Sequence, residues 1–295
     1  MQTVKSYLSL IKFSHTIFAM PFALIGFFVG WRQRTLEMQS GEGDEGLWRI
    51  LILVVLCMVF ARSAAMAFNR YLDRSIDAKN PRTAVREIPS GVISAQNALI
   101  FTFASSLLFI ATCYFINPIC FYLSPVALAV VLLYSYTKRF TALCHLVLGL
   151  GLSLAPIGAY LAVTGEFALL PILFSITVML WVSGFDIIYA LQDEEFDRSE
   201  QLFSVPAWVG KARALRISEL LHVGCAIAVV LAGFYGRFGL LYWIGVGVFT
   251  GMLVYQHLIV KPHDLSRVNL AFMTANGIAS VVFAIFVIAD LFISK

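Results

Sequence analysis

Nine apolar runs along this chain each approach the length of a bilayer crossing, and that repetition constrains the fold more than any other feature. A helix needs about 20 apolar residues to cross the roughly 30 Å hydrocarbon layer, where every backbone N–H and C=O must be satisfied inside the segment. The runs fall at about 14–31, 48–68, 94–115, 119–137, 143–163, 168–189, 212–233, 238–258 and 268–291. Composition agrees: 60% of residues are hydrophobic and 13% are charged, where soluble domains lie near about half apolar and about a quarter charged. The expected fold is an all-α integral membrane protein. About nine transmembrane helices form a bundle around a central apolar chamber, and residues 1–295 make one domain.

Charge placement sets the expected orientation. Most of the 21 Lys and Arg residues lie on the side of the amino terminus, among them Lys5, Arg70, Arg86, Lys138, Arg139 and Arg216. Arg32, Arg34, Arg49, Arg237 and Lys295 lie opposite. The positive-inside rule puts the first set in the cytoplasm. No basic block is present, which argues against nucleic-acid binding. The five cysteines are scattered in apolar runs without metal-ligand spacing and read as buried, inert thiols. The first run has no small-residue cleavage site, so it reads as a retained helix rather than a signal peptide. His15, near its mouth, is a candidate contact for a substrate. Residues 40–46 read as an exposed loop.

Two acidic stretches stand where apolar runs meet water. Asn69, Asp73 and Asp77 recur every fourth residue and fall within about 80° on a helix. Asp186, Asp193 and Asp197 would fall within about 40°. Both stretches lie on the cytoplasmic side of the expected topology, as two acidic motif loops. Crowded carboxylates repel unless cations hold them, so two such faces suit hard divalent metals, Mg²⁺ first. A diphosphate is a fitting guest, since Mg²⁺ bridges carboxylates to its oxygens and Arg74, Lys138 and Arg139 supply direct contacts. On a lipid, the diphosphate head would sit at this mouth with the tail among the helices. Asp186, one turn deeper, either binds metal through a water or orients an arginine or Tyr189. Arg62, inside the second run, is either half of a structural ion pair or a contact to a second substrate.

With these residues in place, a family resemblance is visible. Asn69-x-x-x-Asp73-x-x-x-Asp77 resembles the first metal motif of the UbiA superfamily of intramembrane aromatic prenyltransferases. Asp186-x-x-Tyr189-Ala190-x-x-Asp193-x-x-x-Asp197 resembles the second. Tyr136-x-Lys138-Arg139 is similar to the family's basic turn between the fourth and fifth helices. Pro81-Arg82-Thr83, Arg86, Pro89 and Gly91 are similar to the segment after the first motif. The similarity covers nearly the whole chain and is closest to the 4-hydroxybenzoate polyprenyltransferases of quinone biosynthesis.

The resemblance implies Mg²⁺-dependent transfer of a polyprenyl group from polyprenyl diphosphate to an aromatic acceptor. 4-Hydroxybenzoate is the expected acceptor, and a futalosine-type or naphthoate intermediate of menaquinone biosynthesis is the alternative. By the same resemblance, Asn69, Asp73, Asp77, Asp193 and Asp197 hold the Mg²⁺–diphosphate. The four aspartates and Arg139 are the catalytic set. Asn69, Arg74, Lys138, Arg139, Tyr189, Asp186 and Arg62 are the substrate-binding set. One departure stands out. Phe203-Ser204-Val205-Pro206 occupies the place where many members carry Lys-Ser, which removes one basic contact. The expected location is the bacterial inner membrane, with membrane lipid as surroundings and no protein partner implied. A transporter would place its charges near the bilayer midplane at broken helices, and a scaffold would not need two matched carboxylate sets.

Overall fold

The computed structural model describes residues 2–11, 18–37 and 44–293. His15 and most of the 40–46 segment lie outside them. The described residues are helical and form no strand; their one bridge is the isolated pair Lys261 and Asp264. In chain order the helices are α1 (Gln2–Leu10), α2 (Met20–Glu37), α3 (Asp44–Lys79), α4 (Ala95–Tyr114), α5 (Pro118–Thr137) and α6 (Cys144–Thr164). Then follow α7 (Leu169–Ala190), α8 (Glu194–Ser199), α9 (Val205–Val209), α10 (Lys211–Tyr235), α11 (Leu240–Ile259) and α12 (Asn276–Ile293). A 3₁₀ turn, Leu191–Asp193, joins α7 to α8, and a π-helical turn, Leu270–Ala275, leads into α12.

Local chemistry sets several boundaries. Asn117 accepts the Cys120 N–H at 2.8 Å and is followed by Pro118, so the chain turns tightly and restarts as α5. Ser94 accepts the Asn97 N–H at 3.1 Å and opens α4. Gly165, at φ 73°, closes α6 in the left-handed conformation that glycine adopts without strain.

Eight helices among the described residues are long and apolar enough to cross a membrane. The ninth expected run corresponds to α2, which carries Arg32, Arg34 and Glu37 in its last turns and falls short on composition. The first acidic stretch is helical and lies in no loop. Helix α3 has 36 residues, roughly 54 Å at about 1.5 Å per residue, which is well beyond a bilayer core of about 30 Å. It carries Asn69, Asp73 and Asp77 on its last three turns. The second stretch corrects the sequence reading in the opposite sense. Its helix ends at Ala190, so the expected single face of Asp186, Asp193 and Asp197 is divided among α7, the 3₁₀ turn and α8.

The bundle has a packed half and a hollow half. Trp181 is fully buried at the centre of the packed half, with its ring 5.4 Å from Phe22 and 5.7 Å from Phe249. Its indole N–H donates to Asn276 Oδ1 at 2.9 Å, and Gln256 donates to the same oxygen at 2.8 Å. His222 and His257 pair across α10 and α11 at 2.9 Å, so His222 is a satisfied core residue as its apolar setting suggests. Asp290 is fully buried at the end of α12, where its carboxylate accepts the N–H of Gly239 at 2.7 Å and of Tyr242 at 3.3 Å. An anion at the start of α11 also meets the positive end of that helix. In the hollow half, α3, α4, α5 and α6 surround an apolar chamber of about 230 Å³. Small residues such as Ala61, Ala65, Ala127, Gly151 and Gly158 thin its walls.

Helices α2 and α6 meet where Gly26 faces Pro156. A Cβ at Gly26 would stand 2.0 Å from the Pro156 carbonyl oxygen, which is backbone and cannot swing aside. Gly26→Ala should destabilise the bundle by about 1–3 kcal/mol and lower its melting temperature in detergent. An unchanged melting temperature would show that the two helices separate freely.

Candidate active site

A polar cavity of about 160 Å³ opens at one end of the hollow half. It collects the end of α3, the segment after it, the α5–α6 turn and the end of α7. All of these are at the same end of the bundle, as the topology reading expects. Asp73, Asp77, Asp186 and Asp193 line it, with Asn69, Asn80, Arg82, Arg86, Lys138, Arg139, His145 and Tyr189. Tyr134 lines both this cavity and the apolar chamber, so the two spaces adjoin at its ring.

The four motif aspartates are each matched to a cation. Arg139 reaches Asp73 at 2.8 Å, Arg86 reaches Asp77 at 2.7 Å, and Lys138 reaches Asp197 at 2.6 Å. Arg82 grips Asp193 through two bonds, from Nε at 3.0 Å and Nη2 at 2.5 Å, and donates to the Tyr189 hydroxyl at 3.0 Å. Asn80 adds a bond to Asp193 at 3.3 Å, and Asn69 donates to Asp73 at 3.0 Å. Arg139 also donates to the Ser135 and Leu72 carbonyls, tying α5 to α3. Burial works against the charge on Arg82, but Asp193, and after it Tyr189, hold its pKa above the ordinary arginine value. Burial likewise penalises Lys138, and Asp197, with Asp193 behind it, holds that ammonium above the ordinary lysine value. A raised cation supports the folded state below its ordinary pKa and loses that support only at higher pH, so both stay charged through neutral conditions.

The arrangement has room for a hard cation. Asp77 gives one carboxylate oxygen to Arg86 and leaves Oδ2 buried without a hydrogen-bond partner. No three acidic, His or Cys groups converge on one point among the described residues. That fits Mg²⁺, which is held through one or two carboxylates plus substrate oxygens more often than by an all-protein cage. The walls therefore suit a cation that arrives with, and is completed by, an anionic substrate.

Residues 19–278 match the UbiA prenyltransferase family. The chain belongs to that family. A 4-hydroxybenzoate octaprenyltransferase of Aliivibrio fischeri (strain MJ11) is 31% identical over 239 residues, covering 80% of this chain and 82% of the relative. Another, from Nitrosospira multiformis, is 29% identical over 235 residues, covering 80% and 81%. The apo structure of a UbiA homolog from Aeropyrum pernix K1 superposes with a TM-score of 0.77 at 28% identity, covering 95% of this chain and 97% of that one. A UbiA homolog from Archaeoglobus fulgidus bound to DMAPP and Mg²⁺ superposes at 0.72 with 20% identity, covering 98% and 99%. The protein is thus an integral membrane prenyltransferase of UbiA fold.

Within this UbiA-family chain, the structure gathers Asn69, Asp73, Asp77, Lys138, Arg139, Asp186, Tyr189 and Asp193 around one cavity. Three expected site residues lie elsewhere. Asp197 is fully buried behind Lys138 and accepts the Ser204 hydroxyl at 2.8 Å, because the helix break turns it away from Asp193. Arg74 is exposed and folds back on its own helix, donating to the Tyr71 carbonyl at 2.7 Å. It follows Asp73 directly, and one residue step turns a side chain by about 100°. Arg62 lies in the wall of the apolar chamber and not in that of the polar cavity. Asp186 orients neither an arginine nor Tyr189; its partner is His145. Phe203 is 47% exposed and absent from the cavity wall, while its backbone N–H donates to the Lys138 carbonyl at 2.8 Å. Sequence reasoning passed over Arg82, Arg86 and His145 as site residues, although the first two stand in the segment that carries the family resemblance.

Arg82→Lys keeps the charge but loses the two-bond grip on Asp193 and the link to Tyr189. Turnover should fall roughly ten- to a hundredfold, equivalent to about 1.5–3 kcal/mol. Arg74→Ala should stay near wild type. Equal losses in steady-state assays of the two variants would contradict this map of the cavity.

Proposed function

We propose that this enzyme moves a polyprenyl group from polyprenyl diphosphate to 4-hydroxybenzoate, with Mg²⁺, in quinone biosynthesis. The observation that carries the reading is the contact at Tyr134 between a charged cavity and an apolar chamber. Such a junction suits a substrate with an anionic head, a long apolar tail and a scissile bond between them. The relatives named 4-hydroxybenzoate octaprenyltransferase support the acceptor. The homologs bound to DMAPP, GPP and Mg²⁺ support the donor and the cofactor.

The chain's residues would share the work as follows. Asn69, Asp73, Asp77 and Asp193 line the cavity and would hold Mg²⁺; Asp197 stands behind Lys138 and Ser204 and anchors both. Mg²⁺, when bound, would supply positive charge that offsets the charge growing on the leaving group. Arg82, Arg86, Lys138 and Arg139 surround the same space and would orient the diphosphate through charge-assisted hydrogen bonds. The chamber walls hold the tail and keep water from the allylic carbon as its bond to oxygen breaks. An electron-rich ring beside Tyr134 then attacks that carbon, with alignment and electrostatics supplying the rate. We place the charged end on the cytoplasmic side of the bacterial inner membrane, from the Lys and Arg asymmetry, and treat the whole chain as one domain.

Membranes carrying the enzyme should prenylate 4-hydroxybenzoate when given polyprenyl diphosphate and Mg²⁺, and should stop in EDTA. A panel that includes naphthoate and futalosine-type acceptors tests the choice of ring; preference for one of those would replace the acceptor while keeping the reaction. For sidedness, single cysteines at Ala78 and Ser199, both exposed, should label from the cytoplasmic face in a background without reactive native thiols. Labelling of either from the opposite face would reject the orientation.

A further inference from the structure

Four carboxylates line the polar cavity, and three of them are matched to guanidinium groups: Asp73 by Arg139, Asp77 by Arg86 and Asp193 by Arg82. Asp186 is different. Its Oδ2 lies 2.7 Å from His145 Nδ1, and no Lys or Arg forms an ion pair with it among the described residues. The other ring nitrogen of His145, Nε2, accepts the Val205 N–H at 3.3 Å. A proton at Nε2 would set two hydrogens between those nitrogens. The geometry therefore places a ring proton on Nδ1 and makes His145 a donor to Asp186. The imidazole is locked, with its side chain 4% exposed, and the His145 carbonyl accepts the Ser183 hydroxyl at 3.1 Å. Asp186 keeps 18% of its side chain exposed. It lies one turn before the end of α7 and shares the cavity wall with Tyr134, where the chamber begins.

The reaction leaves one proton without an owner. Ring attack forms a C–C bond as the allylic C–O bond breaks and its electron pair leaves on diphosphate. Aromaticity returns only when the C–H bond at the attacked carbon breaks and its pair re-enters the ring. The proton must go to a group that faces the ring and is not already committed to a cation. We propose that Asp186 takes this proton and that His145 is its positioning residue, an inference that rests on the aromatic-acceptor reading above. Asp73, Asp77 and Asp193 already give carboxylate oxygens to guanidinium groups, whereas Asp186 is hydrogen-bonded to the His145 ring and to no Lys or Arg among the described residues. His145 itself is excluded as the base because Nδ1 already bears a proton and Nε2 is occupied. Asp186 then returns the proton to water at the cavity mouth, so no oxidant or further reactant is needed.

The test uses the full-length enzyme in detergent with Mg²⁺, polyprenyl diphosphate and an acceptor deuterated at the prenylated ring position. Melting temperature and diphosphate binding are measured first for each variant. Wild type should show a kH/kD near one, because proton loss follows a slower ionisation. Asp186→Asn should lose prenylated product by about 10²–10⁴-fold, the usual share of a positioned base. Its kH/kD should rise, and diphosphate release should persist, with the allylic group recovered as prenyl alcohol. Asp186→Glu, which retains a carboxylate, should recover product with a low isotope effect. His145→Leu should shift in the direction of Asp186→Asn, and His145→Asn, which restores an N–H donor, should recover part of the loss. Wild-type product with an unchanged isotope effect in Asp186→Asn would overturn the assignment. Loss of diphosphate release in step with product would also overturn it, by placing Asp186 in diphosphate handling. A wild-type enzyme that ionises the donor but prenylates no aromatic ring would reject the acceptor reading, and this proposal with it.

Discussion

The site depends on ion pairs that join segments far apart in sequence. Asp73 on α3 pairs with Arg139 after α5, Asp197 on α8 pairs with Lys138 in the same turn, and Asp193 before α8 pairs with Arg82 in the segment after α3. The three contacts close a ring around the cavity. Buried charge costs several kcal/mol per ion unless it is paired with good geometry, so loss of one member would leave its partner uncompensated. The same pairing matches these three carboxylates to cations before any substrate arrives. Under the proposed function, an entering diphosphate and its metal would offer each side a new partner in exchange for the old one.

The division of the bundle follows from residue size and aromaticity. On one side, Phe18, Phe22, Trp181, Phe249 and Phe283 fill the interior, and a small buried amide cluster satisfies the indole. On the other, Ala and Gly in α3, α5 and α6 leave a space that their side chains cannot fill. The packed half fixes α7, and with it the depth of Asp186. The hollow half leaves an apolar chamber, which the proposed function would fill with the substrate's tail. Tyr134 belongs to both cavities and marks the height at which they meet.

Much of this was legible in the chain. Apolar length gave the helices, and the fourfold spacing of Asn69, Asp73 and Asp77 survived because α3 runs unbroken to Lys79. The second motif was misread in shape because nothing in Leu191-Gln192 signals a break; neither glycine nor proline marks the end of α7. Arg82 and Arg86 sit in an irregular segment where no periodicity predicts direction, so only the fold shows them turned inward. His145 has apolar neighbours in sequence, and its partner Asp186 stands 41 positions away. Arg74 lies outside the cavity wall because adjacency to Asp73 in sequence is divergence on a helix.

The π-helical turn Leu270–Ala275 has a geometric consequence of its own. A π turn accommodates one residue more than an α turn, so it resets the phase of everything that follows. Phe272, inside the turn, stacks 4.2 Å from Tyr189, the hydroxyl of which holds Arg82. Asn276, just beyond it, supports Trp181 and Gln256. The turn thus sets the relative angle of Phe272 and Asn276, which a regular helix would present differently. Wound as an ordinary α-helix, the same residues would rotate all of α12 by about 100° relative to Phe272. Either the cavity wall or the aromatic core would then face the wrong side chain.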